Sequence, residues 1–154
     1  MEMNEIRDET AADVLLVTGF TLGEAAFGIE ARLVQEVVKV GEVTPVHGAP
    51  SGVTGIRNLR GRVVTVVDTA AHLGLGMVEP GPDNRLLIME REGESYGFLV
   101  DAVTDALALD RARMGSPPSS MDPALRDRLC GVWHEAGRLT AILEPEELFR
   151  WGKE

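Results

Sequence analysis

The chain has 154 residues, with 25 acidic side chains against 15 basic ones and a formal net charge of −10 at pH 7. That balance excludes a nucleic-acid partner, because binding a phosphate backbone depends on clustered Lys and Arg and no such cluster is present. No apolar run approaches the roughly 20 residues of a membrane span, and the lone Cys130 cannot form an intrachain disulfide, so the expectation is a soluble domain of a reducing cytoplasm without direct membrane insertion.

Residues 1–13 are polar and acidic without a sustained hydrophobic period, which predicts a flexible acidic tail ahead of a domain over 14–154. Short runs rich in Val, Ile, Leu and Thr then recur at residues 14–22, 27–31, 34–40, 53–56, 62–68, 85–90, 96–100, 102–109, 130–133 and 138–144. Gly, Pro or an acidic residue closes nearly every run, so an all-β chain of about ten strands is predicted. Helix signals are local. Asp122-Pro123 and Glu144-Pro145 each pair an N-cap candidate with proline at the first helical position, predicting two short helices, and residues 69–73 fit one further turn. The proline-containing stretches 76–84 and 115–118 read as exposed connectors. Cys130 lies in an apolar strand pattern, where a small buried side chain is expected.

The sequence also matches itself. A shift of 69 places Phe27-Gly28 on Tyr96-Gly97, Val34 on Val103 and Glu36 on Asp105. A shift of 76 places Gly55-Ile56 on Gly131-Val132, Gly61-Arg62 on Gly137-Arg138, and Val66-Val67-Asp68 on Ile142-Leu143-Glu144. The chain is therefore read as a duplicated unit of about seventy residues, each copy the right size for a small closed barrel of about five strands. Two barrels side by side, neither stable alone, are the predicted architecture. Between the shared glycines the copies differ, with Arg57-Asn58-Leu59-Arg60 in the first where Trp133-His134-Glu135-Ala136 stands in the second. A turn needed only for folding does not require two arginines and an asparagine in one copy alone.

The string Gly55-Ile56-Arg57-Asn58-Leu59-Arg60-Gly61, followed by residues 63–68, resembles the glycine-flanked Asn-Leu-Arg-Gly element of the CheW-like domain family. Segments 20–37, 97–107 and 129–149 resemble that family's opening, central strand pair and close, in the same order. The resemblance implies two SH3-like five-stranded β-barrels in tandem around a shared core. It also implies a noncatalytic adaptor that joins a CheA-type histidine kinase to the cytoplasmic tips of chemoreceptors, in arrays at the inner face of the membrane. Three positions depart from the pattern: Thr65 stands where the family usually has proline, and Thr69-Ala70 follow Asp68 where Leu-Arg is common. They leave a non-chemotaxis receptor and kinase pathway as the alternative, alongside a kinase regulatory domain and, from a different class, a small ligand-binding β-barrel.

Candidate binding residues follow. Arg60 can donate in several directions to carboxylates or carbonyls of a partner; its other use is an internal salt bridge, to Glu36. Asn58 caps its own backbone or touches a partner. Leu59 is an exposed anchor or a core residue under the loop, and Gly55 and Gly61 are backbone devices. By resemblance, Val34 and Glu36 belong to the binding surface, and strand alternation would place them on one face. His47, His72 and His134 share no ligand spacing, the glycines form no phosphate loop, and Asp68 and Asp101 read as turn or cap residues, so no catalytic centre, metal or cofactor is expected.

Overall fold

A computed structural model describes residues 13–150; the tail expected over 1–13 lies almost wholly outside them. Ten strands appear where the runs of β-branched residues stand: β1 (Val14–Leu22), β2 (Ala25–Glu30), β3 (Glu36–Lys39), β4 (Val53–Leu59), β5 (Arg62–Asp68), β6 (Arg85–Arg91), β7 (Glu94–Val100), β8 (Ala102–Asp110), β9 (Leu129–Glu135) and β10 (Arg138–Leu143). The three expected helical turns are α1 (Thr69–His72), α2 (Pro123–Arg126) and α3 (Pro145–Leu148). Their caps are the predicted ones: Asp68 accepts from the Ala71 N–H, Asp122 from Ala124 and Glu144 from Glu146.

The strands form two five-stranded sheets, β8-β1-β2-β10-β9 and β3-β6-β7-β5-β4. In each, a residue beyond one edge strand bonds the opposite edge and closes the barrel. Thr44 exchanges two 2.8 Å hydrogen bonds with Ile56 of β4, and Gly115 exchanges bonds of 2.9 and 3.0 Å with Val132 of β9. Both barrels have the SH3-like plan expected. Closure pairs the sheet edges that would otherwise invite association.

One expectation is corrected. The duplication does not give one barrel per repeat, because each barrel is composite. The first repeat supplies β1 and β2 to one barrel and β3, β4 and β5 to the other; the second repeat does the reverse. Residues equivalent in the sequence take equivalent partners, each from the other repeat. Gly28 of β2 lies beside Ile142 of β10, and its counterpart Gly97 of β7 lies beside Val66 of β5, both in parallel register. No comparison of the repeats with each other could reveal this exchange, since similarity gives equivalence and not partnership.

Three apolar clusters follow from the composite build. Leu15, Val17, Leu109, Trp133 and Ile142 fill the first barrel, and Leu59, Val64, Val66, Leu86 and Ile88 fill the second. A larger cluster between the barrels joins Phe20, Phe27 and Ile29 to Val67, Leu87, Met89, Phe98, Leu143 and Leu148. Strand β6 is buried on both faces, with Leu86 and Ile88 pointing into a barrel and Leu87 and Met89 into the shared core. That explains its unbroken apolar run, which lacks the alternation of a half-exposed strand.

The stretch 76–84 is not wholly an exposed connector. Val78 is buried, and its N–H is held by the Asp68 carboxylate at 3.1 and 3.3 Å, so Asp68 caps α1 and pins this loop together. Likewise Gly115 is part of the closure of a barrel and not a free linker.

Candidate functional site

The β4–β5 hairpin turns through Arg60 and Gly61, whose φ values of 53° and 85° define a two-residue turn matched to the twist of the strands. Asn58 Oδ1 accepts the Gly61 N–H at 2.8 Å, so this amide serves its own turn. Leu59 is buried in the second barrel, which rules out the exposed-anchor reading; alternation puts it on the inner face while its neighbours face out. Gly55 is required by close approach, since a Cβ there would lie 2.2 Å from the Thr44 carbonyl oxygen.

Arg60 extends from the tip across the seam of the second barrel. Its Nη2 donates to Glu36 Oε2 at 2.5 Å, and Arg62 Nη2 lies 3.6 Å from the same oxygen. Below them, Arg57 Nη1 donates to the Lys39 carbonyl at 2.8 Å. The Arg60 side chain is 65% exposed and that of Glu36 33%. An ion pair this open contributes only about 0.2–1 kcal/mol to stability. Its effect is to hold a guanidinium in one place with most of its N–H donors still facing solvent.

Val34 is displaced from the expected strand. A short 3-10 turn, Ala31–Leu33, precedes it, β3 begins only at Glu36, and Val34 packs half-buried on the core between the barrels. The six candidates thus separate by role. Arg60 and Glu36 form the accessible charged site, Asn58 and Gly55 shape the seam, and Leu59 and Val34 support it from inside. Two exposed apolar residues beside the site did not come from the sequence: Val37, next to Glu36, is 42% exposed, and Val63, next to Arg62, is 59% exposed. The available signal was a valine at an outward-facing strand position.

Cys130 also departs from expectation, because it is exposed. It is the extra residue of a β-bulge: Gly131 pairs with Ile142 and Leu129 with Leu143, leaving Cys130 outside the ladder. The residue is exposed but its sulfur is partly shielded beside the Leu143 carbonyl, and this desolvation, with the nearby Glu144 carboxylate, pushes the thiol pKa up, opposite to what a nucleophile needs. Its counterpart in the other barrel, Thr54, occupies the same kind of bulge. His72 is buried, its Nε2 lying 2.9 Å from the Leu148 carbonyl oxygen. Among the described residues, no group of three or more His, Cys, Asp or Glu side chains is placed to hold a metal ion, and no helix is long and apolar enough to cross a membrane.

A family model described as CheW-like domain matches residues 16–153. The chain is 30% identical over 130 residues to the chemotaxis protein CheW of Rhizobium meliloti, covering 84% of each protein. It is 32% identical over 143 residues to the chemotaxis protein CheW of Thermotoga maritima, covering 91% of this chain and 93% of that one. Among solved structures it resembles the scaffolding protein TtCheW of Thermoanaerobacter tengcongensis with a TM-score of 0.78, at 28% identity over 88% of each chain.

Proposed function

The chain belongs to the CheW-like domain family, and from that premise we propose that it is a noncatalytic chemotaxis coupling protein. It joins the cytoplasmic tips of chemoreceptors to a CheA-type histidine kinase, working in the cytoplasm at receptor arrays on the inner face of the membrane. Relatives that carry the name chemotaxis protein CheW over nearly their whole length support this reading above the ligand-binding alternative. So does a solved relative described as a scaffolding protein.

The observation that carries the site is the Arg60–Glu36 pair. It is present in one barrel only, since the equivalent turn of the other has Ala136 in the same backbone conformation, φ 53°. The fold therefore does not need the arginine; a partner does. Glu36 fixes the guanidinium through one oxygen, and a receptor carboxylate or helix C-terminal carbonyl can take the remaining donors. Coupling then requires that this contact differ in strength between the receptor's signalling states, which shifts the kinase between active and inactive populations.

The test is binding of the purified full chain to a receptor tip fragment and to the kinase, repeated with Arg60→Ala. The variant is expected to lose receptor affinity by about tenfold or more, retain kinase binding, and melt within a few degrees of the parent. Equal receptor binding by the variant, or none by the parent, overturns the assignment.

A further inference from the structure

The position equivalent to Arg60 is Ala136 in the first barrel, where an acid, a second arginine and the turn recur, although Asp105 lies in a bulge of β8 opposite Gly19 while Glu36 pairs in regular register with Ile88. In the second barrel Glu36 holds two guanidinium groups, Arg60 at 2.5 Å and Arg62 at 3.6 Å. In the first barrel Asp105 of β8 stands for Glu36, Arg138 of β10 for Arg62, and Ala136 for Arg60. The turn geometry is reproduced, with φ 53° and 75° at Ala136 and Gly137 against 53° and 85° at Arg60 and Gly61. What is missing is one guanidinium. Asp105 has no ion pair or side-chain hydrogen bond with any described residue, and it lines a cleft of about 280 Å³ together with Thr104, Trp133, Glu135, Ala136 and Arg138. Glu135 is occupied by the Trp133 indole N–H at 2.9 Å, and Arg113 lies over the Trp133 ring, 5.7 Å from its centroid.

We propose that this cleft accepts an arginine side chain from a partner protein, bound to Asp105 as Arg60 is bound to Glu36. The chain itself supplies the template. Glu36 shows that an acid at this seam holds a guanidinium reaching over a two-residue turn, and that a second arginine at the position of Arg138 does not exclude it. Arginine fits better than lysine because its planar fork can donate to both oxygens of the Asp105 carboxylate. The net charge of −10 favours a basic partner surface. This inference does not depend on which partner occupies the Arg60 site.

The probe is N-acetyl-arginine amide titrated into the isotope-labelled full chain, with the Trp133 indole and the Ala136 and Asp105 amides as reporters. Citrulline amide, of the same shape without charge, is the control. Saturable shifts confined to these signals are expected with arginine and absent with citrulline. Asp105→Asn is expected to weaken binding about fivefold or more. Ala136→Arg, tolerated by the backbone as Arg60 shows, fills the cleft from within and removes probe binding. Shifts spread over the acidic surface, or probe binding unchanged in either variant, overturn the proposal; unchanged amide signals elsewhere in each variant establish that it is folded.

Discussion

A left-handed backbone at a non-glycine residue costs about 1–2 kcal/mol, and Arg60 adopts it at φ 53° in return for an exposed ion pair that contributes less. Glu92 and Ala136 adopt the same φ before Gly93 and Gly137, so the strain belongs to this kind of turn and not to the arginine. Gly55, four positions before Leu59 on the same hairpin arm, is the opposite case. It contributes nothing to a partner directly, yet a Cβ there, which has no rotamer, meets the Thr44 backbone carbonyl at 2.2 Å, so neither can rotate away. Gly55→Ala is expected to cost about 2–3 kcal/mol and to break the two bonds between Thr44 and Ile56 that close the second barrel. Hydrogen exchange at those two amides checks this; protection unchanged from the parent would show that the seam is held elsewhere, by Arg57 and the Glu36 cluster.

Among the elements, α1 and α3 act as a clasp over the shared core, joined where His72 Nε2 donates to the Leu148 carbonyl at 2.9 Å. Burial first, and Arg128 second, lower the His72 pKa from the ordinary value near 6.5, so the folded chain favours the neutral imidazole. The unfolded chain takes up the proton more readily. The stabilising contribution is therefore complete above about pH 6.5 and is lost as the pH falls below it. His72→Gln keeps a donor for the carbonyl but does not titrate, and urea unfolding at pH 7.5 and 5.0 is expected to show a smaller acid loss in the variant; equal losses would remove His72 from the clasp. The elements were the most legible level in the sequence. Val-rich runs closed by Gly or acids marked every strand, and Asp-Pro and Glu-Pro marked α2 and α3, because these signals act within a few residues. Bulges were not legible. Cys130 and Thr54 sit in apolar patterns, and only the register of the partner strand shows that each drops out of its ladder. The site was legible as a list of residue types with alternatives, since Asn58 and Arg60 lie between glycines, and the structure selects the salt bridge to Glu36 for Arg60 and the core position for Leu59, choices that depend on how β3 closes against β4.

Across the whole molecule the exchange of strands between repeats makes the two barrels one folding unit. Each barrel is held by β2 or β7 running parallel to β10 or β5 from the other repeat, the pairs Gly28–Ile142 and Gly97–Val66. A first repeat alone would keep the β1–β2 and β4–β5 hairpins but lose the strands on which β1, β2, β3 and β5 all pair. It would also leave half of the shared core uncovered, including Phe20, Phe27 and Val67. Hairpins without further strands are marginal in water, so two chains made by dividing the protein within residues 76–84 are each expected to lack a cooperative unfolding transition. Mixing them restores every strand partner, and a cut placed at residues 80–83, beyond the buried Val78, removes only loop closure, a slowly varying cost. Recovery of the near-ultraviolet signal of Trp133 on mixing, at equal stoichiometry, is the expected result. A cooperative transition in either piece alone would mean that a repeat can close its own barrel and that the exchanged pairing is not what holds the fold together.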